Sequence, residues 1–478
     1  MSSPQRPTHA LTEGAIGKTL FFFALPILAG NVLQSLNGSV NAIWVGHGLG
    51  EAALAATSNA NTILFFLIGA VFGVGMAGTI LVGQSIGANN VDQAKRVVGT
   101  SLVFFVVMSL AISAIGLLFA EPLMAWMRMP PESNALAVAY LRIIFLGLPF
   151  LYLLSFVGMA LRGAGDARTP FVFLALNVLL DIALNPLFIF GWGPVPRMGI
   201  AGSATATLVA QAVTLGAMLA WLYRSKHFLR IKREELHYLR IDPVILKSLV
   251  AKGVPMGLQM IVMSTSMIAM ISLVNSFGAH TTAAYGACFQ LWNYIQMPSL
   301  AVGMAASSMA AQNVGAGLWD RVDRVALTGL GFNVLLTGCL VLIVYLFNRG
   351  ALGLFLPADG GSIEIAQHIN RIVIWSFILF GISFVFAGVV RSTGAVIPPL
   401  VILVIALWIV RIPFAYGFVG SWGADAIWWS FPLGSLVSAA LSALYYRYGG
   451  WRKARMLAPA AVVSAGSADS RTSSADPA

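Results

Sequence analysis

Gln84-Ser85-Ile86-Gly87-Ala88-Asn89-Asn90-Val91-Asp92-Gln93-Ala94-Lys95-Arg96-Val97 is written a second time, with different filler, as Gln312-Asn313-Val314-Gly315-Ala316-Gly317-Leu318-Trp319-Asp320-Arg321-Val322-Asp323-Arg324-Val325. Gln, Gly-Ala, Asp and Arg-Val keep their places at a spacing of 228. Outward from this element the echo continues at an offset of 229: Pro26 meets Pro255, Arg142 meets Arg371, Arg162 meets Arg391, Gly165 meets Gly394 and Pro170 meets Pro399. A repeat that spans nearly the whole chain predicts two structurally equivalent halves with a seam between them.

Composition says which solvent those halves face. Charged residues are 9% of the 478 and hydrophobic residues 58%, against roughly 25% charged in soluble domains. A water-facing surface cannot be assembled from that, so the bilayer is the main solvent. Apolar runs of about 20 residues or more, long enough to cross hydrocarbon as helices, lie near 17–45, 53–83, 97–119, 136–160, 169–190, 199–223, 246–275, 282–310, 325–347, 372–390, 396–420 and 426–446. Strand-like alternation is absent, which disfavours a barrel. The predicted fold class is all-α integral membrane, with twelve transmembrane helices in two pseudo-symmetric six-helix lobes. Its parts are an N-terminal tail (1–15), an N-lobe (16–224), a charged linker (225–243), a C-lobe (244–448) and a disordered tail (449–478) rich in Ala, Ser and Gly.

The formal charge of +11 has a simple distribution once the chain is threaded through twelve spans. Lys18, Lys95, Arg96, Arg162, Arg168, Arg321, Arg324 and Arg391 fall on the side of the amino terminus, with the basic linker and tail. Only Arg128, Arg142, Arg197, Arg349, Arg371 and Arg411 fall outward or within spans. By the positive-inside rule both termini of this multi-pass protein are expected in the cytoplasm. No basic stretch interleaved with aromatics points to nucleic acid. Cys288 and Cys339 lie within spans and imply no disulfide framework, and the six histidines show no metal-ligand spacing. Without a phosphate-cradling Gly-Lys-Ser or Gly-Lys-Thr loop, no ATP-driven step is expected, and no cofactor.

Of seventeen Asp and Glu, nearly all lie in loops or at span ends, whereas Asp181 stands halfway along the fifth span. A charged Asp at the bilayer centre costs about 2.5 to 3.5 kcal/mol, so it implies a partner, a wet cavity or a task. Asn177 and Asn185 stand one turn before and after it, on the same helix face. Burial raises an acid's pKa and a neighbouring cation lowers it, so Asp181 is suited to alternate between a proton and a cationic solute. A permanently hydrogen-bonded structural acid is the alternative. Met256, Met260, Met263, Met267 and Met270 draw one stripe down span 7, either a polarisable cavity lining or ordinary helix packing. Gln34, Asn37 and Asn41 share a face in span 1, and Gln290, Asn293, Tyr294 and Met297 share one in span 8. These faces fit a wet vestibule or interhelical hydrogen-bonded glue. Arg411 either pairs across the cleft with Asp181 or snorkels to headgroups. The duplicated element itself reads as a structural elbow, a turn followed by a surface helix with Asp92 and Arg96 at i and i+4.

Taken together, Ala24-Leu25-Pro26-Ile27, Val45-Gly46, the two elbows, Leu161-Arg162-Gly163-Ala164-Gly165-Asp166 with Thr169-Pro170, Asn177-x-x-x-Asp181 and Gly199-Ile200-Ala201-Gly202 resemble the multidrug and toxin extrusion (MATE) family. The resemblance covers nearly residues 14 to 448. It implies a two-lobe, twelve-helix antiporter, acting as a monomer and not an enzyme, that expels amphipathic organic cations against protons or sodium by alternating access. It also places Asn41 and Thr207 beside Asp181 and Asn177, which gives the cation-coupling set; the Met stripe and polar faces supply Gln34, Asn37, Met256, Met260, Met263, Gln290 and Asn293 as substrate-binding candidates. Many relatives carry an acid where this chain has Asn41, and one branch carries acids in the second lobe where this chain has none. Those departures resemble the DNA-damage-inducible branch and favour protons over sodium. The rival within the superfamily, a lipid-linked oligosaccharide flippase, would need a strongly basic cavity. A membrane enzyme would need clustered His, Asp or Ser at helix ends.

Overall fold

The computed structural model describes residues 11–126, 131–191, 196–356 and 361–457. Six long helices build the first lobe: α1 (Ile16–Leu49), α2 (Glu51–Gly87), α3 (Val91–Trp126), α4 (Pro131–Gly163), α5 (Arg168–Phe190) and α6 (Ile200–Arg224). The second contains α7 (Pro243–Asn275), α8 (Ala279–Gly315), α9 (Trp319–Leu346), the short α10 (Asn348–Gly353), α11 (Ser362–Val373), α12 (Ser376–Arg391), α13 (Ile397–Val404), α14 (Ile412–Trp422) and α15 (Asp425–Tyr448). No strand occurs among the described residues.

Twelve crossings follow when α11 with α12 is one span bent by 47° and α13 to α14 is one span. In that last span the segment Ile405–Arg411 widens into a π-helix. Ten helices are individually long and apolar enough to cross, and the bent pair makes eleven. The twelfth, α8, has the length but carries Gln290, Asn293, Gln296, Gln312 and Asn313. It is buried from Ala301 almost continuously to Asn313, so protein rather than lipid surrounds Gln312 and Asn313.

The lobes touch through α1, α2, α7 and α8, and glycine sets how closely. A Cβ on Gly73 would strike the backbone of Gly253 and Gly257, and one on Gly253 the backbone of Val74. Such small-residue seams let helices approach within van der Waals range where lipid offers no hydrophobic drive. Every interlobe hydrogen bond among the described residues lies at one end, the end of the tails, the linker and the elbows. At the other end, α1 presents Leu36 and Ile43 at 48% and 55% exposure.

The linker is docked rather than merely solvated. A 3-10 turn, Arg233–Leu239, lies on the first elbow, where Lys95 Nζ meets Glu235 at 2.7 Å. Tyr238 donates to Asp92, and Arg96 stacks on the Tyr238 ring at 5.7 Å. Partial burial pushes the Glu235 carboxyl up. The Lys232 amide and the Lys95 ammonium outweigh it and hold the group below its ordinary value.

One boundary needs correction. The stretch after Tyr448 was expected to be disordered, yet 449–457 is packed: Trp451 is 1% and Met456 3% exposed. Thr393 donates to the Trp451 carbonyl at 2.9 Å and Ser248 to that of Met456. Composition over thirty residues hid two anchors, Trp451 and Met456, that supply enough apolar area to order nine. The rest of the tail, 458–478, and residues 1–10 lie outside the described residues.

Candidate cation-coupling site

Helix α5 buries Pro170, Phe173, Asn177, Asp181, Asn185 and Ile189 along one stripe, the i, i+3, i+4 spacing of a helix with one face turned to its neighbours. Asp181 is 1% exposed. Four neutral donors fill its carboxylate. On Oδ2 arrive Asn41 Nδ2 at 2.8 Å and Asn37 Nδ2 at 2.9 Å, both from α1. On Oδ1 arrive Thr207 Oγ1 from α6 at 2.9 Å and Asn185 Nδ2, one turn along α5, at 3.1 Å. Asn185 also donates to Asn41 Oδ1 at 3.1 Å, closing the ring.

An ionised carboxylate has about four lone-pair positions and donates nothing, so this shell suits the charged form. No cation stands against it among the described residues: the ion pairs are Lys95–Glu235, Arg96–Asp92, Arg142–Glu121, His368–Asp425 and Arg452–Asp323. Uncharged dipoles alone surround the carboxyl group. Around it the side-chain oxygens of Asn37, Asn177 and Asn185 are buried with no partner. Each such acceptor costs about 1 to 3 kcal/mol unless something fills it.

The structure thus brings Asp181, Asn41 and Thr207 together as expected. It moves Asn37 from the vestibule to the carboxylate, and sets Asn177 apart from it by one turn, without a bond. Asn185 completes the shell; its place one turn after Asp181 on the buried stripe was the signal for it. Arg411 does not reach across to Asp181. It lies in the π-helical segment, 3.4 Å over the Phe431 ring, with its Nε unpartnered. Neither Asp181 nor Arg411 has an ion-pair partner among the described residues.

The vestibule candidates divide. Gln34 and Gln290 are exposed, and Asn293, Met260 and Met263 half-buried. Met260 abuts Gly69, where an added Cβ would lie 3.6 Å from its own. Met256 is 1% exposed, within the core that α7 shares with the first lobe, so in this conformation it is packing rather than lining.

The elbows are more than turns. Gln84 Nε2 donates to the Ser392 carbonyl at 2.6 Å, and its repeat partner Gln312 Nε2 to the Gly163 carbonyl at 2.9 Å. Gly163 and Ser392 are themselves counterparts at the 229 offset, so the two bonds form a reciprocal latch about the pseudo-twofold axis. Gly87 and Gly315 make room for it, since a Cβ on either would meet the carbonyl of Gln312 or Gln84 respectively. Asp92 and Arg96 pair as their spacing predicts, at 3.1 Å. In the second elbow Asp323, not Asp320, is the engaged acid, bound by Arg452 and Tyr446.

Comparison with known proteins agrees with this architecture. The chain is 35% identical to a probable multidrug resistance protein, YoeA, of Bacillus subtilis over 95% of its length and 98% of the relative's. It is 27% identical to a FAD transporter of Shewanella oneidensis, over 85% and 89%. The crystal structure of MATE in the straight conformation superposes with a TM-score of 0.85 at 23% identity, covering 93% of this chain and 98% of that one. The MatE family model matches residues 26–187 and 255–417, one stretch in each lobe, and the chain belongs to the multidrug and toxin extrusion family of membrane transporters.

Proposed function

We propose that this transporter is a proton-coupled antiporter of the bacterial inner membrane, with termini and linker in the cytoplasm, exporting amphipathic organic cations. The observation that carries the reading is Asp181, a buried carboxylate with no counter-ion inside a shell of neutral groups. Protonating it requires one donor to turn away or become an acceptor. Thr207 is suited to this, because a hydroxyl both donates and accepts. The unpartnered Asn37 and Asn185 oxygens are acceptors of the right kind for an acid proton after an amide flip.

Asn37 and Asn41 both ride on α1, about three turns beyond Pro26, which interrupts that helix's hydrogen-bond ladder. Bending α1 at Pro26 withdraws two of the four donors together and opens the carboxylate, at 1% exposure closed here, to solvent or a cationic solute. With the latched end facing the cytoplasm, the present state is open outward. Proton entry then makes the acid neutral while α1 is bent, and release of the latch turns the cleft inward. Sodium is the alternative coupling ion, for which the amide oxygens would serve as ligands beside a single carboxylate.

One observation favours a second reading, an anionic cargo: Arg411 is a cation within the second lobe with no carboxylate partner among the described residues. Proteoliposomes decide between these. A pH gradient and a sodium gradient are imposed separately, with a fluorescent cation or a fluorescent anion as cargo. Cation movement driven by the pH gradient and lost in Asp181→Asn is the expected result. Full transport by Asp181→Asn, or drive from sodium alone, removes the proton scheme. Anion movement that depends on Arg411 selects the second reading.

A further inference from the structure

A cavity of about 1010 Å3 opens on the first lobe at its latched end, between the first turns of α1, the α4–α5 turn, the end of α6 and the chain just beyond it. It is not part of the coupling site, since Asp181 stands ~20 Å further along α5 at 1.5 Å per residue. Three cations line it, Lys18, Arg168 and Lys226, and none of them forms an ion pair among the described residues. Its one acid, Asp166, has Oδ1 committed to the amides of Arg168 and Thr169, at 3.0 Å each. The lining therefore keeps a surplus of positive charge. Residues 1–10 contain no Asp or Glu and bring no counter-charge.

His227 adds a donor. Its Nδ1 accepts from the Leu229 amide at 3.2 Å, which leaves the proton on Nε2. Burial pulls its pKa down, against the opposing pull of Asp166. The other walls are apolar and aromatic: Leu11, Phe22, Phe23, Trp221 and Phe228. Phe22 is 50% and Trp221 37% exposed, and Phe21 and Leu25 continue an exposed apolar surface along α1.

We infer that this cavity is a binding site for an anionic phospholipid, with its phosphate on Lys18, Arg168 and Lys226 and its acyl chains leaving past Phe22 and Trp221. The ends of membrane-spanning helices sit at headgroup level, where Trp and basic residues gather, and basic pockets between such helices suit lipid phosphates. A soluble anion would use the cations but leave the aromatic exit without purpose. A lipid seated there bridges the start of α1 to α5 and α6. The inference does not depend on the coupling ion or the cargo.

The test uses the full chain in nonionic detergent, stripped of lipid and titrated with phosphatidylglycerol, phosphatidylcholine or inorganic phosphate. Bound lipid is counted by native mass spectrometry, and the unfolding midpoint is followed in parallel. Saturable binding of phosphatidylglycerol is expected, about tenfold tighter than of phosphatidylcholine. Lys18→Gln/Arg168→Gln/Lys226→Gln should lose that preference while keeping its midpoint in phosphatidylcholine, and Lys18→Arg/Lys226→Arg should retain it. Phe22→Ala/Trp221→Ala should weaken phosphatidylglycerol binding as well. Should the triple variant fail to fold, Lys18→Gln and Lys226→Gln alone are titrated, each expected to weaken binding about threefold. Wild-type titration by the charge-removed variants overturns the proposal, as does protection by inorganic phosphate equal to that by phosphatidylglycerol.

Discussion

Thr207 is where the two protonation states of Asp181 are distinguished. Its hydroxyl is the one member of the shell able to reverse its role without rotating an amide, and it has a second acceptor at hand in the Ser203 carbonyl, 3.3 Å away. Thr207→Val keeps the shape and removes the hydroxyl. A hydrogen bond to a charged group is worth about 1.5 to 3 kcal/mol, so proton-driven efflux should fall roughly ten- to a hundredfold. Thr207→Ser should stay near wild type, with the pH profile of exchange as the readout. Equal rates in Thr207→Val and wild type would remove the swivel from the mechanism. Asp181 was legible in the sequence because a mid-span acid is expensive and therefore conspicuous. Asn37 was read as vestibule because a polar face on α1 shows which residues point together but not which of them meets α5. Asn177 and Asn185 flank Asp181 symmetrically in sequence, and the choice between them is made by Asn41, which bonds to the latter.

At the scale of elements, the duplicated stretch was visible at once and its task was not. Self-similarity reports that two segments have the same shape. That each segment's Gln reaches the other lobe is a property of the seam, and nothing local in Gln84 or Gln312 announces it. The latch lends itself to direct measurement. Replacing either Gln by Ala removes one of two neutral hydrogen bonds at about 1 kcal/mol each, and the paired substitution should approach the sum. Spin labels on Asn89 and Leu318 would then show a broader and longer distance distribution than in the unaltered chain. Gly87→Leu is the stronger perturbation. Its side chain occupies the space of the Gln312 carbonyl, and overpacking of this kind costs about 1 to 3 kcal/mol. It should hold the lobes apart at this end and abolish turnover with the fold intact. An unaltered distance in both the paired Gln variant and Gly87→Leu would mean that the latch does not set the lobe equilibrium.

For the molecule as a whole, closure at the latched end is shared among the seam glycines, the elbows and the chain after α15. That strap is anchored on the second lobe: Trp451 packs against Trp319 and Tyr446, and Met456, bonded to Ser248 of α7, lies in a cluster that α7 shares with the first lobe. Opening this end parts Met456 from the first-lobe members of that cluster, so the strap biases the transporter toward the state seen here. A chain ending at Leu457 should therefore match the full-length protein in unfolding midpoint and in turnover. A chain ending at Tyr448 loses the buried Trp451, worth about 3 to 5 kcal/mol by comparison with Trp-to-Ala substitutions in protein cores, and with it the Arg452 contact to Asp323 at 2.8 Å. Its midpoint should drop, and thiol labelling of a cysteine placed at Gly83 in the seam should accelerate. Trp451→Ala in the full chain should reproduce part of both effects, because Met456 and the Arg452 contact to Asp323 remain. If the chain ending at Tyr448 unfolds and labels as the full-length protein does, the strap is only packing at the rim, and the lobes are held closed by α1, α2, α7 and α8 alone.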